Sequence, residues 1–352
     1  MLLDLIKVFI PAVLSFAIGI GITPVLSHYL YTQKMWKKKA GKGDATPMFN
    51  KLHETRETGT PRMGGIVIWF SSAAAMLLLF AFAFGTDLSF ADKLDFLSRD
   101  QTWLPLGALL LGAGIGLIDD FFEVTGNGDR AAGGLSLTKR LLLVGLIGLL
   151  VGLWFHYKLD VSGITIPFFG LLSLGAWVIP LCILVFIGVY SGGIIDGIDG
   201  LAGGIFAVIF GAYGAIAFFQ DQINLAAFCA AILGGILAFL WFNIPPARFY
   251  MSETGSMSLT LCLAVVAFMT DALGEGEGLF VLPIVAFPLL VTSASVILQL
   301  FWKKAYGKKL LLISPLHHHF EALGWPSYKV TMRYWVLSVI FAILGLIITL
   351  VS

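Results

Sequence analysis

Ten apolar runs, each close to the length of a membrane span, occupy most of this 352-residue chain and leave it few ways to fold. The hydrocarbon core of a bilayer, about 30 Å thick, is crossed by roughly 20 apolar residues in a helix rising about 1.5 Å per residue. The runs lie near 5–30, 64–84, 103–118, 138–156, 171–189, 201–219, 224–242, 257–275, 279–302 and 331–351. Hydrophobic residues make up 58% of the chain and charged residues 12%, against about 25% charged in an average soluble domain. The predicted fold class is therefore all-α: a polytopic integral membrane protein of about ten transmembrane helices, with residues 1–352 forming one transmembrane domain. The first run opens Met1-Leu2-Leu3-Asp4 and lacks the short apolar region and cleavage site of a signal peptide, so it reads as a retained anchor.

The net charge of +1 says little about partners, but its distribution sets an orientation. Lys and Arg concentrate after odd-numbered runs: eight in 31–63, three in 119–140, one in 243–256 and six in 303–335, which is 18 of the 22 in the chain. By the positive-inside rule those loops are expected in the cytoplasm. They cover about 31–63, 119–137, 190–200, 243–256 and 303–330, and an even number of spans then puts both termini on the outer side. The three cysteines, Cys182, Cys229 and Cys262, fall inside apolar runs at unrelated spacings and read as packing residues. Gly112, Gly114 and Gly116 read as helix-packing glycines.

Carboxylates at the ends of such runs are costly near lipid and mark polar cavities. The third run ends in Asp119-Asp120, whose side chains point about 100° apart on a helix and can serve two different partners. The fifth leads into Gly192-Gly193-Ile194-Ile195-Asp196-Gly197-Ile198-Asp199-Gly200, where a helix would put Asp196 and Asp199 on one face. After the seventh come Asn243-Ile244-Pro245-Pro246 and Ser252-Glu253-Thr254-Gly255-Ser256, an oxygen-rich stretch suited to a cation, or to an anion at a helix N-terminus. After the ninth, Lys303, Lys304, Lys308 and Lys309 read as a membrane-surface anchor. Then come His317, His318 and His319, which point in different directions with no cysteine nearby and fit donors to phosphate better than zinc ligands. Alternating topology places all five polar clusters on one face. Clustered carboxylates without thiolates suit a hard cation that bridges phosphate oxygens, so Mg²⁺ is the expected cofactor and phosphoryl chemistry the expected reaction. No nucleic-acid partner is expected.

These motifs carry a resemblance. Gly-Thr-Pro-Arg-Met-Gly-Gly at 59–65, Asp119-Asp120, Asp196-Gly-Ile-Asp199-Gly-Leu-Ala, Asn243-x-Pro-Pro-Ala and Pro315-Leu-His-His-His-Phe-Glu321 resemble, in order, those of phospho-N-acetylmuramoyl-pentapeptide transferases. The triple-His segment, continuing through Gly324-Trp325-Pro326 and Arg333-Tyr334-Trp335, favours them over the polyprenyl-phosphate GlcNAc-1-phosphate transferases, which share the aspartate motifs. The resemblance implies a homodimer in the bacterial inner membrane with its active site facing the cytoplasm. It implies transfer of phospho-MurNAc-pentapeptide from UDP-MurNAc-pentapeptide to undecaprenyl phosphate, giving lipid I and UMP in peptidoglycan synthesis. By the same resemblance Asp119 would deprotonate or orient the lipid phosphate, and His317, His318 and His319 would bind phosphates. Asp120, Asp196 and Glu253 would form the metal region, while Asp199, Asn243, Lys139 and Arg140 would bind substrate.

Four positions depart from the family pattern. Glu123 stands where a Lys is usual, Gly193 where an Asn is usual and Thr58 where a basic residue is usual; Glu253 replaces the metal-ligating Asp. Arg56, Arg62, Lys139 and Arg140 are candidates to restore positive charge, at places the sequence does not fix. A transporter would instead hold its acids near the membrane midplane, often in inverted repeats, and no such repeat is visible. A catalytically dead scaffold is the remaining alternative that the four departures suggest.

Overall fold

The computed structural model describes residues 2–37, 59–86, 91, 94–97, 102–127, 133–272 and 276–352. Arg56, Thr58 and most of the basic loop 31–63 lie outside these residues. The helices are α1 (Leu2–Thr32), α2 (Ile66–Gly85), α3 (Trp103–Thr125), α4 (Leu137–Lys158), α5 (Val178–Gly192), α6 (Leu201–Phe219), α7 (Ile223–Asn243), α8 (Ser252–Ala272), α9 (Gly278–Val285), α10 (Phe287–Tyr306), α11 (Leu316–Ala322) and α12 (Ser327–Val351). Among the described residues nine helices are long and apolar enough to cross a bilayer, and α9 with α10, bent by 69° at Ala286, makes a tenth. The chain is a polytopic all-α membrane protein, as its periodic apolar runs predict.

Three boundaries differ from the sequence reading. The start of the expected fifth span, 171–173, belongs to a hairpin of β1 (Gly163–Ile166) and β2 (Gly170–Ser173), paired antiparallel with Gly163 opposite Ser173. Alternating apolar residues there run directly into the following span and conceal the strand. The third span continues as helix past Asp119-Asp120 to Thr125 and ends on Gly126 in the left-handed conformation. The eighth begins at Ser252, five residues ahead of its apolar run, so Glu253 sits in the first helical turn instead of a loop.

The early start of α8 has a packing cause. This helix is the axis of the bundle, with 94% of its spanning window buried, against 22% for α12 and 17% for α1, which face outward. A helix surrounded by protein can carry Ser252, Thr254, Ser256, Ser258 and Thr260, all buried, because its neighbours meet their polar atoms. Its most extensive partner is α3. A Cβ on Gly116 would fall 2.3 Å from the Glu253 carbonyl oxygen, and one on Gly112 would fall 2.8 Å from the Met257 oxygen, so the two backbones touch along this ridge. Gly114 faces open space and is not part of it. The three cysteines are free and buried, as expected.

Candidate active site

The N-terminal turn of α8 draws in side chains from four other segments. Helical geometry leaves the first amides of a helix without internal acceptors. Here two aspartates from elsewhere supply them: Asp120 Oδ1 and Oδ2 accept from the amides of Glu253 at 3.1 Å and Thr254 at 2.9 Å, and Asp196 Oδ2 accepts from that of Ser252 at 2.7 Å. Negative charge is favoured there by the helix dipole as well as by the hydrogen bonds. Ser252 has φ +61, a conformation that non-glycine residues hold only where neighbours over-determine it. The anion site foreseen at this terminus is thus filled by the protein's own carboxylates.

Asp119, 1% exposed, turns away from Asp120 and accepts from the amide of Leu135 at 2.6 Å. The divergence expected of adjacent helical residues is present, although both partners are backbone amides. Residues 196–200 are not an α-helix: a 3-10 turn at Gly193–Ile195 leads into irregular backbone, and the shared face of Asp196 and Asp199 does not form. Asp199 Oδ2 accepts from Ala247 at 3.2 Å. Asn243 accepts from the Gly200 amide at 2.9 Å through Oδ1 and donates to the Phe249 carbonyl at 2.8 Å through Nδ2. Both residues brace the chain around the site. Burial pushes the Asp196 carboxyl above its ordinary range, while the Ser252 amide and the charge of Arg62 pull it back.

Glu253 pairs with the Arg140 guanidinium of α4 and lies 3.5 Å from the Tyr190 hydroxyl. Arg140 is buried, whereas Lys139 beside it is exposed, its backbone amide donating to the Ser136 cap of α4. Among the described residues no three His, Cys, Asp or Glu side chains gather closely enough to enclose a metal ion. The expected metal set of Asp120, Asp196 and Glu253 is not gathered into such a group here: amides donate to both oxygens of Asp120, and Arg140 pairs with Glu253. The oxygen-only chemistry still suits Mg²⁺, which commonly keeps several waters and takes only one or two carboxylates; Asp196 spends one oxygen on Ser252 and offers the other.

The histidines separate into two groups. On α11, His317 and His318 are buried, and a Cβ at Gly197 would fall 2.6 Å from Nε2 of the first and 2.7 Å from Nε2 of the second. Only a glycine at 197 lets both rings close over the backbone between Asp196 and Asp199. Glu321 Oε2 lies 2.8 Å from His318 Nδ1 and its Oε1 accepts from Ser327 at 2.6 Å, which orients the ring and presents Nε2 to the Gly197 loop. His319 instead accepts from the Leu312 amide at 3.2 Å and faces its own loop. Trp325 stacks on Phe320 and carries the Arg333 guanidinium 4.1 Å above its ring, fixing α11 against α12.

Sequence reasoning did not single out Tyr190, Lys37 or Leu135. Tyr190 falls at the edge of the expected loop 190–200 with no charged neighbour to mark it, and the other two reach the site only through long-range packing. What the fold does confirm is that all five polar clusters meet at one end of the bundle, with Met63 and Gly64 held against Ser252 and Tyr250.

Comparison with known proteins identifies the family. Residues 102–271, from α3 through α8, match the family described as Glycosyl transferase family 4. The phospho-N-acetylmuramoyl-pentapeptide-transferase of Listeria welshimeri is 33% identical over 342 residues, covering 96% of this chain and 97% of that protein. The protein of the same name from Rickettsia bellii is 34% identical over 365 residues, covering 97% and 91%. That from Rickettsia massiliae is 36% identical over 316 residues, covering 84% and 80%. With likeness of this extent running through every segment that builds the site, the chain belongs to the phospho-N-acetylmuramoyl-pentapeptide-transferase family.

Proposed function

We propose that the protein transfers phospho-MurNAc-pentapeptide from UDP-MurNAc-pentapeptide to undecaprenyl phosphate, giving lipid I and UMP, as a homodimer in the bacterial inner membrane with the site facing the cytoplasm. The observation that carries this reading is the convergence of Asp119, Asp196, the Arg140–Glu253 pair and the paired imidazoles at one end of a helix bundle otherwise dressed for lipid. Family membership names the donor, and the bundle suits an acceptor that is itself a lipid.

An oxygen of the lipid phosphate attacks the β-phosphorus of the donor; the bond from that phosphorus to the bridging oxygen breaks, and the bridging oxygen leaves with UMP. Such transfer needs alignment and charge neutralisation more than covalent chemistry from the protein. Asp119 holds the acceptor phosphate in its deprotonated, aligned form. His317 and His318 donate Nε2–H to phosphate oxygens, with Glu321 holding the His318 ring in orientation. Asp120 fixes the first turn of α8 so that Glu253 meets Arg140. Mg²⁺ would be held through Asp196 and would neutralise charge on the diphosphate.

The test is UMP release by the purified protein with undecaprenyl phosphate, Mg²⁺ and either UDP-MurNAc-pentapeptide or UDP-GlcNAc. Turnover with the first donor, abolished by chelation and restored by Mg²⁺, is the expected result. Preference for UDP-GlcNAc would move the protein to the sister activity, and no turnover with either would sink the enzyme reading.

A further inference from the structure

Along most of its span α12 faces outward, yet its first turns are bonded to the loop that carries Asp196 and Asp199. Thr331, 1% exposed, donates through Oγ1 to the Asp199 carbonyl at 3.1 Å, and Trp335 Nε1 donates to the Gly200 carbonyl at 3.1 Å. Residues four apart share one face of a helix, so the two donors act together on consecutive carbonyls. A Cβ on Gly204 would fall 1.9 Å from Trp335 Nε1, so the indole rests on the bare Cα of that α6 residue. Gly200 is left-handed at φ +74, and its amide donates to Asn243 from the other side. A membrane tryptophan ordinarily turns its N–H toward the interface. Here the N–H is spent on the backbone that joins Asp199 to α6.

The same stretch of α12 carries the histidines. Ser327 Oγ donates to Glu321 Oε1 at 2.6 Å, and Arg333 and Lys329 stand over the Trp325 ring at 4.1 and 5.2 Å. Residues 327–335 span about 12 Å of helix. Within that length one rigid element holds α11, whose imidazoles close over Gly197, and also the loop over which they close. We propose that Trp335 and Thr331 are positioning residues that keep the Asp196–Gly200 loop in register with His317 and His318. Misplacing such groups by about 1 Å costs up to about a hundredfold in rate. The proposal deepens the transfer reading above and rests on it.

The experiment measures kcat/KM for UDP-MurNAc-pentapeptide, and the thermal midpoint in detergent, for wild type, Trp335→Phe, Thr331→Val, Thr331→Ser, His318→Ala and the Trp335→Phe/His318→Ala pair. Phe keeps a ring against Gly204 without the N–H, and Val keeps the shape of Thr without the hydroxyl. Each of these two variants should lower kcat/KM about tenfold while the midpoint holds within a few degrees. Thr331→Ser, which retains the donor, should recover most of the loss. In the His318→Ala background Trp335→Phe should cost only about threefold more, the signature of a residue acting through another. Losses that multiply in full with His318→Ala, that Thr331→Ser does not recover, or that come with a collapsed midpoint in both donor-less variants would make the contacts a fold staple and overturn the proposal. So would wild-type turnover in Trp335→Phe and Thr331→Val. A wild-type protein that transfers from no UDP-sugar would instead overturn the functional reading, and this proposal with it.

Discussion

The two ends of α8 each gather buried carboxylates, and they differ in what surrounds them. At the N-terminal end Asp120 and Asp196 accept from the first three amides, with Arg140, Arg62 and two imidazoles around them. At the other end Asp271 accepts from the amides of Thr165 at 3.1 Å and Leu279 at 3.3 Å, beside the β1–β2 hairpin and a cavity of about 320 Å³. The C-terminal Ser352 lies at that same end, bonded to Glu277. Both sets of acids satisfy backbone amides, so a buried hydrogen-bonded carboxylate alone marks architecture. What distinguishes the first end is the arrival of cations and histidines from separate segments, with shapes such as the bare Cα of Gly197 that serve only to bring them close.

The comparison breaks most severely at Gly197. Gly197→Ala should reduce UMP release about a thousandfold, a loss on the scale of removing a donor to a developing charge, because the added methyl pushes both imidazoles off the loop. Wild-type turnover in that variant would show that the two rings need not converge. Next comes the Arg140–Glu253 pair. Arg140→Gln and Glu253→Gln should each cost about a hundredfold, the double variant hardly more, since breaking a buried pair strands the survivor. If Glu253 serves Arg140, the Mg²⁺ concentration for half-maximal rate stays where it is in Glu253→Gln. A raised Mg²⁺ requirement would return Glu253 to the metal.

The histidines give a graded series. His318→Ala should lower kcat/KM about a hundredfold and Glu321→Gln about tenfold, in line with general acid or donor groups and the residues that orient them. His319→Ala should change it less than about threefold, because its ring serves the Leu312 amide. Equal losses at all three histidines would contradict the division seen on α11.

Much of this arrangement is legible in the sequence. Ten spans follow from the apolar runs, and the clustering of polar motifs at one end follows from their alternation. Asp119-Asp120 announces itself by sitting at the close of an apolar run. Its partners do not, because the amides of Leu135 and of Glu253-Thr254 lie 16 and more than 130 residues away. Ser252-Glu253-Thr254-Gly255-Ser256 reads as a loop because local pattern cannot show that distant acids cap it and that protein surrounds it. The hairpin at 163–173 escapes for the opposite reason, since its apolar residues merge with the span after it. Lys37 and Arg62 look like ordinary loop charges until the fold sets Glu123 between them.

The most direct measurement pairs one acid from each end of α8. UMP release and the thermal midpoint in detergent are recorded for Asp119→Asn and Asp271→Asn beside wild type. The account predicts that Asp119→Asn loses transfer while its midpoint holds, since Asn still accepts from Leu135. Asp271→Asn should keep turnover within about twofold yet lose roughly 1–3 kcal/mol of stability from weakened amide bonds. Full transfer by Asp119→Asn, or its loss in a stably folded Asp271→Asn, would place the chemistry at the wrong end of the helix and contradict the account.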